Sequence, residues 1–242
     1  MPGKVPFHKV PLDDELRAAI KDCCLRILEN CADLIEEGSA KFREERFPRS
    51  CFLAMTAIEE AGKLSVLRLV ARAELEQLGT SPRELDVKGL CGFLRDHPKK
   101  ARQAAAWSLH INAGADRRHG NHPVSGIHRT SGLILLVRSG QWMSIRNSCL
   151  YVNLQFRPPK IEYPRAEVSK GLAFYMTCMA YEVVADQAYA IDDASGCFEF
   201  EKAQIAKLQE FMNIWGASSD IDALPFLAAP QQLRNQFHNK EA

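Results

Sequence analysis

The chain has 242 residues, of which 46% are hydrophobic and 25% charged, with a formal net charge of +1. That is the mixture of a globular protein long enough to bury a substantial core. The near-neutral balance excludes a global field drawing the chain onto nucleic acid or an anionic membrane, so any contact with RNA needs a local basic patch.

Residues 1–12 form a Pro-rich leader. In LDDELRAAIKDCCLRILENCADLIEEG, Asp13 or Asp14 caps a helix whose apolar positions Leu16, Ile20, Cys23, Ile27, Cys31, Leu34 and Ile35 recur at helical spacing. Gly38 is expected to end it. After the charged stretch SAKFREERFPRS, Pro48 suits the first turn of a second helix running to about Leu78. Ser81-Pro82 opens a short segment to Leu94, and Pro98 restarts a helix through KKARQAAAWSLHI. The next stretch, NAGADRRHGNHPVSGIHRTSG, is rich in Gly, His and Arg and reads as a long irregular loop. Helical pattern resumes in LILLVRSGQWMSIRNSCLYVNL, weakened at Gly140. QFRPPKIEYP is expected to be extended, because three prolines fall close together. Pro164 then starts a long helix to Ile191, and FEKAQIAKLQEFMNIW makes a last amphipathic one. Nothing repeats at a fixed period, and no alternating strand pattern stands out. The reading is all-α: one helical-bundle domain over residues 13–216, with a tail at 217–242.

Eight cysteines occur without a CxxC, most inside apolar periodic stretches where cysteine acts as a small hydrophobe. The leader lacks the apolar core of a signal peptide, and no run approaches about 18 uninterrupted apolar residues. A cytoplasmic location without a membrane partner is the expectation.

The second helix poses the functional question. FLAMTAIEEAGKLSVLRLV is apolar nearly all round, the pattern of an enclosed helix, yet its centre reads Glu59-Glu60-Ala61-Gly62-Lys63. With Thr56, Ala57 and Leu64 as neighbours one turn away, Glu60 is expected to point inward. Lys63 is within helical reach of either glutamate. A buried carboxylate costs several kcal/mol unless paired and hydrogen-bonded, so further cations are expected from elsewhere. Gly62 costs about 1 kcal/mol relative to Ala, and close approach of another helix or a ligand accounts for it. The alternative is a helix edge on which Glu59 and Lys63 form a solvated pair.

RFPRSCFLAMTAIEEAGKL resembles the Glu-Glu-Leu-Gly-Lys helix of the AbiV-type abortive-infection proteins of bacteria, an all-α group placed with the HEPN superfamily. FLRDHPKKA, with His97 and Lys100, is similar to the family's His-Lys-x-Lys segment. IRNSCLYVNLQFRPPKIEYP looks like its Arg-Glu-x-x-x-Tyr-Val-Asp helix end and the extended stretch that follows. The similarity spans roughly Leu16 to Tyr189. Ala61 stands where the family has Leu, and Asn153 where it commonly has Asp, which removes one carboxylate.

The resemblance implies a HEPN-like helical bundle, often a homodimer, and an anti-phage defence effector acting on RNA or the translation apparatus, with a phage protein as trigger. Many HEPN proteins are metal-independent ribonucleases with an Arg-x(4–6)-His motif. Here Arg117 and His122 satisfy that spacing but fall in the expected loop, and Arg234 and His238 are too close together. Enzymatic activity therefore stays open. If the family's three stretches converge, Glu59, Glu60, Lys63, His97, Lys100, Arg146 and Tyr151 make one internal polar cluster. Its cations suit a phosphate or nucleotide, and His97 suits acid–base work. In that reading His97, Lys100, Arg146 and Glu60 are the catalytic candidates, with Glu59, Lys63, Tyr151, Arg117 and His122 in binding roles. The competing readings are a buried ion-pair network that only fixes helix register, a non-catalytic protein that binds a phage or host partner, and a nucleotide-sensing module. No cofactor is implied. His119, His122 and His128 lack a Cys or carboxylate among them and are read as loop residues rather than metal ligands. P-loop, dinucleotide-binding and hydrolase-elbow motifs are absent.

Overall fold

The computed structural model describes residues 9–71, 84–119, 125–156, 159–189 and 197–215. Helix α1 (Asp14–Arg43) starts where the Asp13 carboxylate accepts the Leu16 backbone N–H at 2.8 Å, satisfying an otherwise unpaired donor of the first turn. Gly38 does not end it. Phe42, 1% exposed, holds the last turn inside an aromatic cluster with Phe47, Phe174 and Phe211. The chain reverses at Glu44–Arg46, with Glu45 in the left-handed region (φ 57°), and α2 (Phe47–Ala71) begins with Pro48 in its first turn.

As its all-round apolar pattern requires, α2 is enclosed. It packs against α1, α4 (His97–His119) and α8 (Lys170–Tyr189). Ala54, Met55, Ile58, Ala61 and Leu64 are fully buried, and each large apolar side chain so buried stabilises the fold by about 1.5–3 kcal/mol. The continuation of α2 towards Leu78, with Ser81-Pro82, lies outside the described residues. A short strand β1 (Lys9–Pro11) pairs antiparallel with β2 (Glu84–Asp86). Asp86 then caps α3 (Val87–Arg95) by accepting the Gly89 N–H at 3.0 Å.

Three further sequence expectations are corrected. The stretch read as a long loop is helix up to His119, and helix again in α5 (Ser125–Arg138). Ala113, Ala115, Arg117 and Arg118 are good helix formers whose summed propensity outweighs one Gly and one His. The next segment is two helices, because Gly140 adopts φ +80° and separates α5 from α6 (Gln141–Ser148). The helix after Pro164 is likewise two: α7 (Pro164–Glu167) and α8, with Val168 extended and the Ser169 hydroxyl accepting the Leu172 N–H at 3.1 Å to start α8 afresh.

The Pro-containing stretch is extended as expected, and it pairs as a ribbon of β3 (Asn153–Phe156) and β4 (Pro159–Glu162). Helix α9 (Cys197–Trp215) packs on α8. Among the described residues the structure is nine helices and two small ribbons, an all-α bundle. No helix among them is long and apolar enough to cross a membrane.

Candidate functional site

The buried helix delivers a carboxylate to the middle of the bundle, and that carboxylate is Glu59. It is 1% exposed. Its Oε2 lies 2.6 Å from Nδ1 of His97. Its Oε1 accepts the indole N–H of Trp142 at 2.9 Å and lies 3.3 Å from Nε of Arg146. A carboxylate only accepts, so Nδ1 of His97 carries the hydrogen. The Arg146 contact is electrostatic: its buried Nε–H has no aligned hydrogen-bond partner among the described residues.

Local structure places each donor. His97 opens α4, whose first turn is fixed by the Asp96 carboxylate accepting the Lys99 N–H at 2.9 Å. Trp142 and Arg146 are four residues apart on α6 and so share a face. The left-handed Gly140 starts α6 immediately before them. The Arg146 guanidinium also lies 5.2 Å over the Phe52 ring.

Glu60 serves the neighbouring half of the cluster. Lys63 donates to it at 2.6 Å, and the Lys100 ammonium is 3.9 Å away. Lys100 is only 4% exposed. Burial lowers its pKa below the ordinary lysine value, and the Glu60 charge opposes that shift. Lys100 sits there because α4 crosses α2 at Gly62, where a β-carbon would lie 2.0 Å from the Lys100 carbonyl oxygen. Three cationic side chains, Lys63, Lys100 and Arg146, thus face two carboxylates, Glu59 and Glu60.

Six of the seven residues expected to converge do so: Glu59, Glu60, Lys63, His97, Lys100 and Arg146. Tyr151 does not join them. It follows α6, is 56% exposed, and its side chain has no hydrogen-bond partner among the described residues. The inward-pointing glutamate is Glu59 rather than Glu60, whose side chain is 19% exposed. Glu59 shares its helix face with the buried Met55 and Gly62, whereas Glu60 shares its own with the half-buried Thr56 and Lys63. The solvated Glu59–Lys63 pair is not formed; Lys63 bonds Glu60.

Arg117 belongs to α4 rather than to a loop, and its side chain is not among those described. His122, Arg234 and His238 lie outside the described residues. Trp142 was not among the residues expected to converge. It is fully buried, and it is also a donor to Glu59. A buried indole N–H needs an acceptor, and its position four residues before Arg146 was the available signal.

Farther along α2, Ser65 donates to Gln187 at 3.3 Å, and the Arg68 guanidinium lies 3.3 Å from the centre of the Trp107 ring. This second polar layer ties α2 to α4 and α8. Among the described residues no group of three His, Cys, Asp or Glu side chains is placed to hold a metal ion.

A family model described as AbiV matches residues 19–185. That span contains every member of the Glu59 cluster. Comparison with curated proteins and with solved structures gives no match.

Proposed function

The chain belongs to the AbiV family, and from that premise we propose that it is an abortive-infection effector whose Glu59 cluster acts on RNA or the translation apparatus. The observation that carries this reading is the 2.6 Å contact between the Glu59 carboxylate and His97 Nδ1. A buried carboxylate on one ring nitrogen fixes the imidazole tautomer and leaves Nε2 as the basic atom. The ring is 39% exposed, so a substrate has access to it.

In this mechanism Nε2 of His97 takes the proton of a ribose 2′-hydroxyl. The freed oxygen attacks the adjacent phosphorus, the bond to the 5′-oxygen breaks, and water supplies the proton that the leaving oxygen needs. Arg146 and Lys63, side chains 16% and 23% exposed, offset the negative charge that builds on the phosphoryl oxygens. Lys100 acts from behind, as a buried positive charge. The protein works in the cytoplasm, as a homodimer, with a phage protein as trigger.

Purified protein incubated with tRNA or mRNA, with and without phage lysate, tests the reading. Cleavage by the wild type and its loss in His97→Ala support it. Intact RNA after prolonged incubation in both conditions overturns the enzymatic version.

A second reading rests on the burial of Glu59 and Lys100: the network fixes the register of α2, α4 and α6, and protection comes from binding a phage or host protein. In that case His97→Ala keeps its protection against phage while substitutions on the exposed surface lose it.

A further inference from the structure

A cavity of about 200 Å³ lies between α1, α8 and α9, formed by side chains distinct from the Glu59 cluster. Its volume is below the ~300–1,000 Å³ of drug-sized pockets, which limits an occupant to a small metabolite. The apolar part of its lining is Phe211, 5% exposed and stacked on Phe174 at 5.4 Å, and Ile214, 53% exposed at the surface. In the same lining the hydroxyls of Ser39 and Tyr181 lie 3.0 Å apart, both residues buried. One spends its hydrogen on the other, and the second hydroxyl hydrogen is left to donate.

The charges on the walls divide into a paired set and an unpaired set. Lys207 donates to Glu36. Arg43 on α1 and Glu210 on α9 also line the cavity, yet neither has an ion-pair partner among the described residues, including each other. A cation and an anion therefore flank the space from different helices without closing it. The Arg43 fork suits a carboxylate, the Glu210 carboxylate suits an ammonium, and Phe211 with Ile214 suits a hydrocarbon or aromatic body. We propose that this cavity binds a free amino acid with an apolar side chain, its carboxylate on Arg43, its ammonium on Glu210 and its side chain on Phe211 and Ile214. The spare hydroxyl hydrogen of the Ser39–Tyr181 pair is a further donor to the bound carboxylate. This site is independent of the reading given to the Glu59 cluster, and both can stand or fall separately.

Calorimetric titration of the full chain with L-phenylalanine, phenethylamine, 3-phenylpropanoate and glycine tests it. L-Phenylalanine is expected to bind about tenfold or more tightly than each of the other three, which lack one charge or the apolar body; tenfold corresponds to about 1.4 kcal/mol. Arg43→Gln should weaken L-phenylalanine to the level of phenethylamine, and Glu210→Gln to the level of 3-phenylpropanoate. Both positions are exposed, so unchanged thermal midpoints are expected to show that the variants fold. Absence of L-phenylalanine binding, equal binding of all four probes, or affinity indifferent to both substitutions overturns the proposal.

Discussion

The carbonyl oxygen of Lys100 rests against the α-carbon of Gly62, leaving no room for a methyl group: a β-carbon there would be 2.0 Å from that oxygen. The obstructing atom is backbone, so relief requires α4 to move as a body. Overpacking of this kind costs about 1–3 kcal/mol, against about 1 kcal/mol gained in helix propensity. Gly62→Ala is therefore expected to lower the urea midpoint. It should also separate His97 from Glu59, which a changed imidazole resonance in NMR would register. An unchanged midpoint would mean that α4 is not held this closely.

Removing Glu59 strands its donors. Glu59→Gln keeps the shape, but its amide NH2 meets the N–H of either His97 or Trp142, and Arg146 loses its compensating charge. Breaking a buried pair from one side costs about 3–5 kcal/mol. The loss should appear in chemical denaturation and should exceed that of Glu60→Gln, whose closer partner Lys63 reaches solvent and whose buried partner Lys100 is farther away, at 3.9 Å.

Trp142→Phe removes the donor to Glu59 Oε1 and, being a smaller ring at a fully buried position, also leaves a small cavity. Hydrogen bonds to charged groups contribute about 1.5–3 kcal/mol, and a loss in that range is expected from urea melts. A loss below about 0.5 kcal/mol would show that water or Arg146 satisfies the oxygen in its place.

Stability should fall at alkaline pH because of buried thiols. Burial pushes the Cys24 thiol up to about 11 from an ordinary value of 9.0, with the neighbouring Cys23 adding to the shift and Arg68 opposing it. Above pH 9.0 the unfolded thiol has begun to lose its proton while the folded one still holds it. The stabilisation is therefore complete below pH 9.0 and is lost as pH rises towards 11. Urea midpoints measured under reducing conditions at neutral pH and across this window should drop less for Cys24→Ala than for the wild type.

The parts of the fold that could be read in advance are those whose signal is local. The enclosure of α2 follows from its apolar circumference, and the caps at Asp13 and Pro48 from single residues. Where local signals compete, the sequence misleads. Gly114, His119 and Gly120 were weighed as turn residues, although the alanines and arginines among them carry α4 to His119. The break at Val168 has no Gly or Pro to mark it, and only the Ser169 hydroxyl explains it.

The site was legible through resemblance more than through periodicity. A helical wheel puts both Glu59 and Glu60 in an apolar helix, but which one faces inward depends on where α4 and α6 lie. The indole of Trp142 was invisible as a partner for the same reason: its acceptor is 83 residues away.

That separation has a consequence for the nascent chain. A polypeptide that stops before α6 already holds Glu59 and His97, yet lacks the aromatic and guanidinium groups that complete the carboxylate's surroundings. Ribosome-bound or truncated fragments ending short of residue 142 therefore contain an unfinished centre, and its assembly waits until the chain has been synthesised through Arg146.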